Sequence, residues 1–107
     1  MPYDPELAER MRAALKTRPG IDEKKMFGGY CWMLNGNMLC GVEVGRYMFR
    51  VGPDREAEAL RRGATPMDIT GRPMRGIVWV KAGLADGKDL QEWIDLAAEF
   101  ASGLPKK

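Results

Sequence analysis

Histidine is absent from this chain of 107 residues, and serine occurs once, at Ser102. Those two gaps remove Ser-His and Cys-His catalytic pairs and most zinc sites. Cysteine is scarce, with Cys31 and Cys40 alone, so a disulfide-built fold is excluded. No apolar run approaches the roughly 18 residues that span a membrane. The N-terminal Met1-Pro2-Tyr3-Asp4-Pro5 has no basic region followed by an apolar one, so no secretory signal is expected. Neither GxxxxGK[ST] nor a strand-borne GxGxxG occurs, which argues against a nucleotide-dependent enzyme of ordinary design.

What is present describes an ordinary folded domain. Hydrophobic residues make up 45% and charged residues 30%. Three Trp, three Tyr and three Phe argue against disorder. The length allows one domain, taken here as residues 1–107. The net charge is +2, too small to announce nucleic acid. Its distribution is uneven. Residues 51–83 carry a net +2 and residues 84–107 a net −2, so the middle is basic and the last helix acidic.

Asp4-Pro5-Glu6 opens a helix, with Asp4 as cap and Pro5 at the first position. Leu7, Met11, Ala14 and Leu15 share one face, and Arg18-Pro19-Gly20 ends it. A strand-rich block runs from Ile21 to about Val51. Asn35-Gly36 is its strongest turn signal and Gly45-Arg46 a second. These turns pair Cys31 with Cys40 across one hairpin and Val42 with Phe49 across the next. One face then carries Cys31, Met33, Met38, Cys40, Val42, Val44, Tyr47, Phe49 and Val51 as the core. The other carries Tyr30, Trp32, Leu34, Leu39, Met48 and Arg50.

Gly52-Pro53-Asp54 starts a short surface helix ending near Arg62. Residues 65–76 have no clean period and read as an irregular loop. Ile77–Val80 is a strand, and a last helix follows, capped by Asp89, with an apolar stripe of Leu90, Trp93, Ile94, Ala97, Phe100 and Ala101. The expected fold is α+β, with about five antiparallel strands in the order α-β-β-β-β-α-β-α and the first and last helices packed on the sheet.

Four blocks in register carry a resemblance: Lys24-Lys25-Met26-Phe27-Gly28-Gly29, Asn35-Gly36-Asn37-Met38, Arg50-Val51-Gly52-Pro53 and Thr70-Gly71-Arg72-Pro73-Met74-Arg75-Gly76. Together they resemble the N-terminal domain of the TfoX/Sxy competence regulators. The resemblance implies an α+β domain with an antiparallel sheet and flanking helices. In the long members this domain is joined to a second one of helix-hairpin-helix character. Those proteins work with the cyclic-AMP receptor protein at competence promoters. The implied role is a non-enzymatic, stand-alone regulatory module of a bacterial cytoplasm, acting through a protein partner in transcription.

Candidate site residues follow from side-chain chemistry. Lys24, Lys25, Arg50, Arg72 and Arg75 suit an anion or an acidic partner, because Arg binds carboxylate and phosphate bidentately. Trp32 offers a stacking surface beside them. Met67 and Met74, placed in the loop, are the expected exposed methionines of an adaptable contact surface. The alternative role is a small-ligand or anion-binding module using the 65–76 loop. The paired register makes Cys31 and Cys40 a possible redox link, set against the plainer reading of two reduced, buried thiols. No cofactor, metal or membrane partner is expected, direct nucleic-acid binding is expected to be weak or absent, and the chain is taken as a monomer or homodimer.

Overall fold

The computed structural model describes residues 3–26, 29–69 and 72–106. Helix α1 spans Pro5–Leu15, and Asp4 caps it by accepting the Glu6 N–H at 3.1 Å. Four strands follow: β1 (Ile21–Met26), β2 (Gly29–Leu34), β3 (Asn37–Val42) and β4 (Arg46–Arg50). A 3-10 turn at Pro53–Arg55 runs into α2 (Glu56–Arg61). Then come β5 (Thr65–Ile69), β6 (Arg72–Lys81), a second 3-10 turn at Ala82–Leu84 and α3 (Lys88–Ala101). The fold is α+β, with an open antiparallel sheet in the order β1-β2-β3-β4-β6-β5.

The sheet has six strands where about five were expected. The segment read as an irregular loop is a β5–β6 hairpin. Its prolines hide it from pattern reading, yet Pro66 is tolerated because β5 is an edge strand and needs no outward N–H. The hairpin is also uneven. Pro66 pairs with Val78 and Asp68 with Pro73, so Met67 alone opposes residues 74–77.

Asn35 and Gly36 form the β2–β3 turn with φ of +52° and +84°, as a type I′ turn demands. The next turn centres on Val44-Gly45 instead of Gly45-Arg46. Gly45 takes φ +75° at the second central position, and the Arg46 Nε donates to Glu43 Oε1 at 2.7 Å across it. Val42 therefore pairs with Tyr47, a shift of two that keeps every side chain on its expected face.

A shift of one has the opposite effect on β2. Met33 pairs with Met38, but Trp32 pairs with Cys40. Leu39 is the extra residue of a β-bulge. Beyond it, Cys31 faces Gly41, and Cys31 and Cys40 lie on opposite faces of the sheet. The expected Cys31–Cys40 pairing is corrected accordingly: the sheet itself stands between the two thiols.

Trp32, Leu39, Cys40, Val42, Tyr47, Phe49, Val51, Val78 and Val80 form the main core. Helices α1 and α3 cover that face with Leu7, Ala8, Met11 and Leu15, and with Leu90, Trp93, Ile94, Leu96, Ala97 and Ala101. Each such large aliphatic or aromatic side chain contributes about 1.5–3 kcal/mol of transfer free energy. Gln91 of α3 donates to the Ala14 carbonyl of α1 at 2.9 Å, and Arg18, just after α1, pairs with Asp95. Helix α3 starts two residues earlier than expected. Gly87 precedes it without a side-chain cap, and Asp89 sits in its first turn. A smaller cluster of Cys31, Met48, Met67 and Ile77 occupies the other face of the sheet.

Two glycines join the end of β4 to β6. Gly76, at φ +82°, accepts at its carbonyl from the Val51 and Gly52 N–H groups at 2.8 and 3.0 Å. Its own N–H donates to Glu56 Oε1 at 2.7 Å. Gly52, at φ +86°, lies against the ring of Phe100.

Candidate interaction surface

Lys24 and Lys25 do not meet Arg75. Lys24 and Lys25 are exposed on edge strand β1, in the row Lys25–Tyr30–Val42–Tyr47–Val80. Arg75 is exposed on β6, toward the other end of the strands, beyond the Arg50–Ile77 pair. Strands β1 and β6 have three others between them, about 19 Å at the usual strand spacing. The two basic groups thus lie far apart on the sheet. Arg72 is a β6 residue paired with Ile69 and Met74 lies on the same strand; their side chains fall outside the described residues. Arg50 is half-buried, with its guanidinium 5.3 Å from the centre of the Phe100 ring.

Trp32 is not a stacking surface. It is 2% exposed, and its indole N–H donates to Glu23 Oε1 at 3.1 Å. Glu23 in turn takes both Arg12 Nε and Nη2, at 2.7 and 2.8 Å. Arg12 chiefly, with Trp32 helping, holds the Glu23 carboxyl below its ordinary pKa. This group fastens α1 to β1 and β2. Met67 is also corrected, from an exposed loop residue to a buried one at 2% exposure, because alternation along β5 turns it into the sheet.

The thiols are shielded. Burial pushes Cys31 up to about 11 and raises Cys40 further, with Cys31 adding to the rise. Both stay protonated at neutral pH and are poor nucleophiles. A disulfide-exchange reagent at pH 8 is expected to leave both unmodified in the folded chain and to label both in denaturant. The folded state keeps its thiol protons where the unfolded state gives them up. Their contribution to stability is therefore complete below about pH 9 and is lost as pH climbs from there, through about 11 for Cys31 and beyond it for Cys40. Melting temperatures across pH 8–11 check this: a flat profile would contradict the burial of the thiols.

What the fold does gather is a surface that no single sequence pattern marks. Among the described residues the exposed large hydrophobics are Val44, Leu60 and Leu84, at 61%, 36% and 41%. Val44 belongs to the β3–β4 turn, which the Ala82 N–H binds through the Gly45 carbonyl at 3.1 Å. Leu84 ends the 3-10 turn that begins at Ala82. Beside it opens a cleft of about 360 Å³, lined by Arg62, Gly83, Leu84, Asp89, Glu92 and Trp93. Trp93 forms its rigid wall, buried and donating its indole N–H to the Leu84 carbonyl at 3.1 Å. Sequence reading gave α2 a surface place and α3 an acidic character. It could not bring the end of one against the start of the other.

Fold and surface together define a small α+β domain: an antiparallel sheet, helices on its main core face, and a shallow apolar and acidic cleft at one end. The chain belongs to the TfoX N-terminal domain family, which its residues 13–101 match. No curated protein and no solved structure matches it.

Proposed function

We propose that this domain is a non-enzymatic interaction module that acts in transcriptional regulation through a protein partner. Membership of the TfoX N-terminal domain family supports the regulatory setting. One structural observation carries the interaction reading. Leu84 stands 41% exposed at the mouth of an open cleft whose wall is a fixed Trp93. A concave site that sets an exposed apolar group beside a fixed aromatic side chain is a common place for binding.

Affinity purification of the tagged chain from its own cells tests the proposal, with Leu84→Lys as the paired control. The expected result is a transcription factor or polymerase component held by the wild type and lost in the variant. Recovery of a small anion in place of any protein would overturn it in favour of an anion-binding role.

A further inference from the structure

Strand β1 is one edge of the sheet and pairs with β2 on its inner side. An open edge is a template for another strand. The Asn35 N–H bonds the Gly20 carbonyl at 2.9 Å, and these two residues continue the β1–β2 register. Alternation along an antiparallel pair then turns the backbone groups of Asp22, Lys24 and Met26 toward β2. Those of Ile21, Glu23 and Lys25 face outward. Residues Asp22, Glu23, Lys24 and Lys25 are all exposed. Among the described residues Asp22, Lys24 and Lys25 have no ion-pair partner.

Edge strands are commonly blunted by charge, lysine above all. That works when like charges meet, and β1 carries both signs, as Asp22-Glu23-Lys24-Lys25. A two-fold axis that joins two copies of β1 antiparallel runs normal to the sheet and keeps like faces together. Asp22 and Lys24 lie on the Cys31 side of the sheet, Glu23 and Lys25 on the Trp32 side. Centring the axis on Asp22 sets that acid against its own copy. Centring it on Lys24 sets two lysines together and sends Ile21 past the end of the partner strand. Centring it on Glu23 sets Asp22 against Lys24 twice over, in the closer, non-hydrogen-bonded kind of pair. Ile21 then pairs with Lys25, so every outward-facing residue of the strand finds a backbone partner. Glu23 meets its own copy, but each carboxylate is already held within its chain by Arg12 and the Trp32 indole.

We infer that β1 is a self-complementary edge whose partner is a second copy of this chain. The two β1 strands lie antiparallel about a two-fold axis at Glu23 and join the two six-stranded sheets into one. Backbone hydrogen bonds from Ile21, Glu23 and Lys25 supply the attraction, as in other strand additions. The two Asp22–Lys24 pairs fix the register. One strand from each copy makes a small interface, so the dimer is weak and concentration-dependent.

Sedimentation equilibrium of the whole chain, from about 10 µM to about 1 mM, measures the association. The expected result is a reversible dimer that added salt weakens. Asp22→Lys alone, or Lys24→Asp alone, opposes like charges at both pairs and should weaken self-association about tenfold or more. An equimolar mixture of the two variants restores both pairs and should associate about as tightly as the wild type. Amide hydrogen exchange followed by NMR locates the contact: the Ile21, Glu23 and Lys25 N–H groups should exchange more slowly as concentration rises. Circular dichroism melts confirm that each variant folds.

A chain that stays monomeric throughout this range would overturn the inference. So would a dimer indifferent to both variants, or a mixture that associates no better than either variant alone. Slowed exchange on β5, at the other edge of the sheet, in place of β1 would overturn it as well. The protein-partner reading stands on the cleft and is untouched by any of these results.

Discussion

Gly76→Ala is expected to destabilise the domain by about 3–4 kcal/mol. At φ +82° an alanine already costs about 1–2 kcal/mol in backbone strain. Its Cβ would also stand 2.7 Å from the Gly52 carbonyl carbon and 2.8 Å from the Pro53 nitrogen. Both are backbone atoms held by the Val51 and Gly52 hydrogen bonds to Gly76 itself, so neither can yield as a flexible side chain would. Overpacking of that kind adds a further 1–3 kcal/mol or so. The expected fall in melting temperature is about 12 °C or more. Gly45→Ala provides the comparison. It has φ +75° but nothing within 4 Å of the new Cβ, so it should cost about 1–2 kcal/mol. Equal losses at the two sites would mean that the close approach of the two chain segments is wrong.

Phe49→Ala is the second large effect. Phe49 is fully buried on central strand β4, stacked with Trp93 at 5.8 Å between ring centres and beside Tyr47 at 6.0 Å. It couples the sheet to α3. Truncation removes its transfer energy and leaves a cavity among rigid neighbours, a loss of about 3–5 kcal/mol. A domain of this length has only about 5–15 kcal/mol in total. The variant should therefore lie close to its unfolding transition at 37 °C. Denaturant titration read by tryptophan fluorescence measures it. A loss below about 1.5 kcal/mol would show that α3 resettles freely on the sheet.

Much of the fold was legible because local signals agreed with one another. The Asp4 cap, the Asn35-Gly36 turn and the Leu90/Trp93/Ile94/Ala97 stripe each appear where the chain places them. The failures share a cause. Leu39 looks like any strand residue, and nothing local says that it is an extra one. That single insertion moved Trp32 into the core and parted Cys31 from Cys40. Residues 65–76 were hidden for a different reason: Pro66, Pro73 and Gly71 suppress a strand pattern that an edge position permits. The cleft was the least legible part. Its lining comes from Arg62, Leu84 and Trp93, which no local pattern brings together.

The amide of Asn37 donates to the Pro105 carbonyl at 2.9 Å, and Asn37 is 3% exposed. That contact pins the end of the chain to the β2–β3 end of the sheet. The cleft and the Val44-Gly45 turn lie at the opposite end. A segment fused after Lys107 therefore starts near the end of the sheet opposite the cleft. A purification handle fused there keeps Leu84, Asp89 and Glu92 open to solvent. A handle ahead of Asp4 would start at the wrong end, since the Asp4 N–H is bound to the Glu43 carbonyl at 3.3 Å, beside that same turn.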